Sequence, residues 1–378
     1  MSDVTLVSGF PSFLAQSLVR RLLETDPGDQ VALLCPGRFQ VAAQIFVQEL
    51  PRQARPRVEV LWGDPADLDL GLSSADYRQL CARLTAICHL GTMPPPAPSR
   101  RRGRKAEESP VVAGARHMVD LACDCPRLRR LCHLSSVLVA GDRQGVVLEE
   151  ELAVGQRFSD AHAEALLHAE QLVRQAAEGR RLPITILRPG HVVGDSRTGE
   201  IDHFGSPYDL IAAVLRSPLD LAQMLPPLGW GAAPLHMVPV DFVVEAAVVL
   251  LRDRRAEGQT FHLVDPCPLP LRAVAELVAK REERKVVRGP SMPPRLLRAV
   301  LRAPGIERLA RANVGSLEGT LGALVFYSPL NTLRLLEGTG LRCPPAASYL
   351  DRLVAFFQEH HRETGAAKTE EESDPLDG

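Results

Sequence analysis

The stretch Val4-Thr5-Leu6-Val7-Ser8-Gly9-Phe10-Pro11-Ser12-Phe13-Leu14-Ala15-Gln16-Ser17 decides how the rest of the chain is read. Val4 to Val7 is a short apolar strand that runs into a turn. Phe13-Leu14 then open an amphipathic helix that continues through Leu18, Leu22 and Leu23. Strand, turn and helix start in this order are the layout of a dinucleotide-binding unit. In such a unit the phosphates rest on unpaired N–H groups at the positive end of the helix dipole. Its fingerprint places small residues at three positions: for a tight turn, for backbone approach to the pyrophosphate, and for close helix–strand packing. Here those positions read Gly9, Ser12 and Ala15. Gly9 keeps the turn and Ala15 permits the packing, but Ser12 adds a side chain where phosphate comes closest. An ordinary strand–helix turn fits the same residues, so the fold is decided by the pattern of the remaining chain.

Downstream, strand-like and helix-like stretches alternate. Gln30–Cys35 is a continuous apolar run, the mark of a strand buried on both faces. Arg57–Trp62 reads as a third strand ending at Gly63-Asp64, and Ala86–Leu90 as a fourth. Leu131–Ala140, Pro183–Leu187 and Gln259–Val264 read as further strands, with a short one at Pro234–Val240. Helical patterns separate them over Phe39–Leu50, Tyr77–Leu84, Val111–Ala122, Ala161–Ala177, Pro207–Leu215 and Asp241–Leu251. Such alternation predicts βαβ crossovers and a Rossmann-like, doubly wound, mainly parallel α/β sheet over residues 1–265. From Leu271 the chain is mainly helical and arginine-rich (Leu271–Arg284, Pro294–Leu301, Ile306–Ala312, Tyr349–His361). That predicts a smaller, mostly helical C-terminal region over 266–361 on the substrate side. Residues 94–110 read as a mobile surface loop and 362–378 as a disordered acidic tail.

Composition narrows the function classes. The chain has 378 residues, a formal net charge of −2 and 24% charged residues, so no overall charge draws it to nucleic acid or an anionic membrane. It shows no basic N-terminal flank before an apolar run and no uninterrupted apolar run of about 18 residues, so neither a signal peptide nor a membrane span is expected. The eight cysteines are scattered, and Cys123-Asp124-Cys125 lacks a second pair at zinc spacing, so reduced thiols in a cytoplasmic protein and no metal are expected. The basic run Arg100–Lys105, the carboxylates Asp195 and Glu200, and His360-His361 read as solvated or structural features.

Taken in order, the motifs resemble the extended short-chain dehydrogenase/reductase superfamily. Within it they are most like the fatty acyl-CoA reductase, male-sterility and thioester-reductase branch. The opening turn, Gly63-Asp64, His89-Leu90-Gly91-Thr92, Leu134-Ser135-Ser136-Val137, Leu187-Arg188-Pro189-Gly190 and Val238-Pro239-Val240-Asp241 carry the likeness. The resemblance implies NADP or NAD as cofactor and an acyl thioester, aldehyde or alcohol as substrate. It implies cofactor contacts at Gly9, Ser12, Phe13, Leu14, Asp64, Leu90, Gly91, Pro189 and Gly190, and an active-site serine at Ser136. Arg38, just past the second strand, stands where it would meet a 2′-phosphate, and no acidic residue occupies Cys35-Pro36-Gly37; both tilt the reading toward NADP.

Hydride transfer in that superfamily uses a Tyr-x-x-x-Lys pair on the helix after the serine strand. Free phenol has a pKa of about 10 and needs the lysine cation beside it to act near neutral pH. Anchoring on Ala169-Glu170 places His162 at the tyrosine position and Leu166 at the lysine position. None of the four tyrosines has a lysine four residues on, and no lysine stands between Lys105 and Lys280. Val111 occupies the place of an asparagine that supports the active site in the family. Two readings are open. In one the protein is a catalytically silent scaffold or regulator that binds a protein partner, through the 94–110 loop or the arginine-rich C-terminal helices. In the other it is an active NADP-dependent oxidoreductase in which His162 is the general acid and Ser136 polarises the carbonyl.

Overall fold

The structure, a computed structural model, describes residues 3–91, 106, 109–216, 229–282 and 324–360. The basic run Arg100–Lys105, nearly all of the 94–110 loop, the helices expected at Pro294–Leu301 and Ile306–Ala312, and the acidic tail lie outside the described residues. The described chain falls into two compact units. One draws on 1–190, 242–266 and 325–342, the other on 191–241, 267–324 and 343–378.

The first unit is built on seven parallel strands: Val4–Val7 (β1), Gln30–Cys35 (β2), Val58–Trp62 (β3), Ala86–Leu90 (β4), Arg130–Leu134 (β5), Ile184–Pro189 (β7) and Thr260–Leu263 (β10), in the order β10-β7-β5-β4-β1-β2-β3. Between β5 and β7 comes Gly145–Val147 (β6), which pairs in parallel with Val325–Tyr327 (β11) in a separate ribbon. The helices of this unit are Phe13–Thr25 (α1), Gln40–Glu49 (α2), Ser74–Arg83 (α3), Pro110–Asp124 (α4), Ala161–Arg180 (α5), most of Val240–Arg252 (α7) and Leu330–Leu336 (α9). Burial along β2, β4, β5 and β7 explains their largely apolar sequences, since helices flank the sheet, and the polar residues they do carry, among them His89, His133 and Arg188, are buried. One large cluster joins Leu6, Leu34, Ile87, Leu131 and Ile186 of the sheet to Leu80, Val119 and Val173 of α3, α4 and α5. Strand order reverses between β1 and β4, and in doubly wound sheets the crevice at the carboxyl ends beside that point receives ligands.

The strand expected over Leu131–Ala140 is shorter. It ends at Leu134, and Ser136 begins a 3₁₀ turn over Val137–Ala140, its Oγ accepting from Leu138 N at 3.2 Å. A capping hydroxyl ends a strand that hydrophobicity alone would continue.

The second unit contains the short strands His191–Val193 (β8) and Met237–Pro239 (β9), the helices Ser206–Arg216 (α6) and Leu271–Arg281 (α8), and a helix over 350–360 (α10). Its core gathers Tyr208, Ile211, Met237, Val274, Tyr349, Leu353 and Phe357, and Gly194 N donates to the Tyr208 hydroxyl at 2.9 Å. No helix among the described residues is long and apolar enough to cross a membrane.

Candidate functional site

The opening turn brings β1 against β4. Ser8 Oγ lies 2.8 Å from His89 Nδ1 and accepts from Leu90 N at 3.2 Å, so one hydroxyl links the ends of the two strands at the switch point. Gly9 has φ +93°, and a Cβ there would stand 2.7 Å from Leu90 Cβ. Only glycine satisfies both conditions. Leu90 is thus in direct contact with the turn, and Gly91 comes next, buried. Ser12 is the N-cap of α1: its Oγ accepts from Ala15 N at 3.3 Å. The hydroxyl takes up one of the N–H groups that a helix start offers to phosphate. Phe13 and Leu14 are half-buried in the first turn.

Arg38 and Asp64 flank the ends of β2 and β3 and form an ion pair with Nη1–Oδ2 of 3.4 Å. The Arg38 guanidinium lies 4.8 Å from the centre of the Phe39 ring and is well exposed. Gly63 precedes Asp64 because a Cβ there would meet Leu70 O at 2.2 Å. Asp64 Oδ1 accepts from Ala66 N at 3.0 Å. Gly9, Arg38 and Asp64 therefore suit a dinucleotide, with a cradle that has no Cβ and an exposed cation in a long ion pair, whereas Ser12 occupies one N–H of the helix start.

On the other side of the switch point stand Ser136 at the end of β5 and Pro189-Gly190 at the end of β7, where Gly190 N donates to Leu263 O at 3.0 Å. His162 lies in the first turn of α5, its backbone N–H bonded to the capping Asp160 Oδ1 at 3.1 Å. Burial pushes its imidazole below the ordinary value, against the pull of Asp160. No hydrogen bond joins Ser136 to His162.

One turn along α5, Leu166 is 1% exposed and forms a small apolar cluster with Val139 and Leu167, against which Val111, Leu152 and Phe158 pack. The positions that the resemblance assigns to lysine and asparagine are thus occupied together by hydrocarbon.

A buried polar network, not foreseen from the sequence, lies a further turn along the same helix face. Glu170 Oε2 accepts from Ser135 Oγ at 2.7 Å and Arg188 Nε at 2.9 Å; Oε1 accepts from Arg188 Nη2 at 2.6 Å and Arg174 Nε at 3.0 Å. Burial alone would raise the Glu170 carboxyl, but Arg188, Arg174 and Ser135 outweigh it and hold it below the usual range. Arg188 Nη1 lies 3.3 Å from His262 Nε2, while His262 Nδ1 sits 2.9 Å from Ser328 O. Glu149 accepts from His262 N, Asn331 N and Thr332, which ties α9 to β10. The sequence signal was an arginine in an otherwise apolar strand and a glutamate four residues after Leu166.

His89 and His133 form a second buried pair, ring centres 5.4 Å apart. Burial lowers both imidazoles, His133 to about 4. Among the described residues no group of three or more histidine, cysteine, aspartate or glutamate side chains is placed to hold a metal. A cavity of about 610 Å³ opens at the amino ends of the strands, lined by Thr5, Asp29, Thr85 and Arg130, and none of the candidate residues borders it.

Comparison with known proteins agrees with this geometry. The profile of an NAD-binding family described as male sterility protein matches residues 7–247. Glycine betaine reductase ATRR of Emericella nidulans is 29% identical over 58% of the chain and 17% of its own length. A carboxylic acid reductase of Segniliparus rugosus is 25% identical over 63% of the chain and 22% of its own length. The chain therefore spans less than a quarter of these relatives. Among solved structures, the terminal R domain from the myxalamid PKS-NRPS biosynthetic pathway superposes with a TM-score of 0.73 at 24% identity, covering 95% of this chain and 91% of that one. The reductase domain of a non-ribosomal peptide synthetase from Mycobacterium tuberculosis does so with a TM-score of 0.68 at 18% identity, over 96% and 92% of the two chains. These two likenesses concern the fold.

Proposed function

The chain belongs to the NAD-binding male sterility protein family, within the extended short-chain dehydrogenase/reductase superfamily, and on that footing we propose that it binds NAD(P)(H) without carrying out hydride transfer. The observation that carries this reading is the apolar cluster around Leu166. A lysine there would hold the nicotinamide ribose and lower the phenol's pKa. Leu166 and Val111 instead pack with Val139 and Phe158 and can do neither. His162 stands at the tyrosine position with no hydrogen bond to Ser136, and burial disfavours its charged form.

On the nucleotide side Gly9, Arg38 and Asp64 are kept, and Ser12 is the departure. Gly9 and the start of α1 would take the pyrophosphate, Asp64 the adenosine end, and Arg38 a 2′-phosphate, which favours NADP over NAD. When bound, the nucleotide would bring a hydride donor to the carboxyl ends of β5 and β7. A nucleotide held there without turnover makes the protein a nucleotide-responsive scaffold for a protein partner.

The second reading keeps one observation in its favour: Ser136 stands at the strand end, its Oγ engaged only as an acceptor and its proton available for a carbonyl oxygen. On that reading the protein reduces an acyl thioester or aldehyde with Ser136 and His162. Thermal-shift titration with NADPH and NADH, followed by a hydride-transfer assay with acyl-CoA and aldehyde substrates, separates the two. Stabilisation without turnover supports the scaffold, and turnover that disappears in Ser136→Ala supports the enzyme.

A further inference from the structure

Helix α5 carries His162, Leu166, Glu170 and Arg174 at four-residue intervals, so these side chains form one column along a single helix face. The column passes from the candidate catalytic positions into the buried network. Glu170 is where it meets the sheet, and it meets two strands at once. Ser135 belongs to the strand end that leads into Ser136, and Arg188 precedes Pro189-Gly190. The backbone joins the same two strands, Ser135 N donating to Leu187 O at 2.8 Å. Glu170 has no exposed side-chain surface, and Arg188 is 1% exposed. No solvent competes for these bonds, and their directions are fixed.

Sheet order shows which part of a nucleotide this arrangement serves. Arg38 and Asp64 come after β2 and β3, on one side of the switch point; Ser136 and Pro189-Gly190 stand at the ends of β5 and β7, on the other. A dinucleotide laid across that point places one mononucleotide on each half. The hydrogen bonds that Glu170 makes to the rest of the sheet unit go to Ser135 and Arg188, both on the β5–β7 half.

We propose that Glu170 is a positioning residue for the nicotinamide half of the nucleotide: by holding Ser135 and Arg188 together it fixes the ends of β5 and β7 against α5, while the adenosine half binds independently of it. This rests on the reading that the protein binds NAD(P)(H). Removing the carboxylate's grip frees the β5 end from the helix, and the nicotinamide loses its seat; the turn at Gly9 and the Arg38–Asp64 pair are untouched.

The test compares whole and half ligands on the full chain by calorimetric titration. The variants are Ser135→Ala, which deletes one hydroxyl and leaves both arginines paired, and Glu170→Gln, which keeps the shape but removes the charge and puts an NH2 donor in place of one accepting oxygen. The ligands are NADPH and 2′,5′-ADP, which lacks the nicotinamide half. For Ser135→Ala the dissociation constant for NADPH is expected to rise about tenfold, equivalent to about 1.4 kcal/mol, with that for 2′,5′-ADP unchanged within about twofold. Glu170→Gln is expected to show the same split, with a weaker enhancement of bound-NADPH fluorescence than wild type. Equal losses for both ligands would show a merely structural role and overturn the proposal, as would wild-type NADPH affinity in Ser135→Ala. Wild-type protein that binds 2′,5′-ADP and NADPH equally well would also overturn it, because no nicotinamide seat would then exist. Wild-type protein that binds neither ligand would instead defeat the nucleotide-binding reading itself, and this proposal with it.

Discussion

Val111 on α4 and Leu166 on α5 pack into one apolar cluster, at the two positions where the resemblance implies polar residues. Substitutions that meet in space and satisfy each other differ from scattered losses. A lysine introduced at Leu166 alone would face Val139 and Phe158 rather than a ribose.

Leu166 therefore makes a stability prediction. With 1% exposure, Leu166→Ala should cost roughly 2–5 kcal/mol in urea denaturation, and Leu166→Met less than about 1.5 kcal/mol. Leu166→Lys should cost more than the methionine variant, because an ammonium group would be buried without a partner. A Leu166→Lys protein as stable as wild type would mean that the side chain reaches an open polar site.

Gly9 should tolerate no side chain. Gly9→Ala places a Cβ 2.7 Å from Leu90 Cβ at a φ of +93°. Strain of about 1–3 kcal/mol is expected, with loss of nucleotide binding. The same substitution at Gly145, where a Cβ would meet nothing within 4 Å, should leave nucleotide affinity unchanged. Paired thermal-shift titrations of the two variants check this.

Much of the fold was legible because a strand buried on both faces is mostly apolar, as at Gln30–Cys35, where Val31 to Cys35 are buried, and at Ala86–Leu90, where only His89 is polar. The missing Tyr-x-x-x-Lys pair was equally plain, since lysine is absent from the whole relevant stretch. What stayed hidden depends on long-range pairing. The ribbon between Gly145–Val147 and Val325–Tyr327, and the Glu149 carboxylate on Asn331 and Thr332, join segments about 180 residues apart that no local period connects. Glu170 falls on a helix whose local pattern gives no sign that it bonds to Ser135 and Arg188 on two separate strands.

Stability should fall in mild acid. Burial holds the His133 imidazole at about 4, and His89 is lowered by burial and by His133 beside it. An unfolded chain takes up these protons near pH 6.5, so between about 6.5 and 4 it binds more protons than the folded one and stability declines as pH falls. His133 alone would account for ~3 kcal/mol across that window. Glu170, held low by Arg188 against its burial, adds to the loss below the carboxylate range, while Glu149, raised by burial, opposes the loss just above that range. Urea midpoints should be flat between about pH 7 and 8, drop toward pH 5, and fall again above about pH 8.5, where burial keeps Cys35 and Cys88 protonated in the folded chain. A flat profile down to about pH 5 would contradict the buried-neutral assignment.

Arg38 should set the choice of nucleotide. It is more than half exposed, and its ion pair with Asp64 is long at 3.4 Å, so it can turn toward a phosphate at little cost. Arg38→Ala should weaken NADPH binding about tenfold and leave NADH binding nearly unchanged. Equal weakening of both would place the side chain away from the 2′ position.

The most direct measurement combines binding and turnover on one sample. NADPH should raise the thermal midpoint progressively with the logarithm of its concentration, with a stabilisation of about 2.7 kcal/mol at a hundredfold excess over the dissociation constant. The same protein should oxidise no NADPH when offered a panel of acyl-CoA thioesters and aldehydes. NADPH consumption with any member of that panel, abolished in His162→Ala, would contradict the account, and so would a midpoint indifferent to both NADPH and NADH.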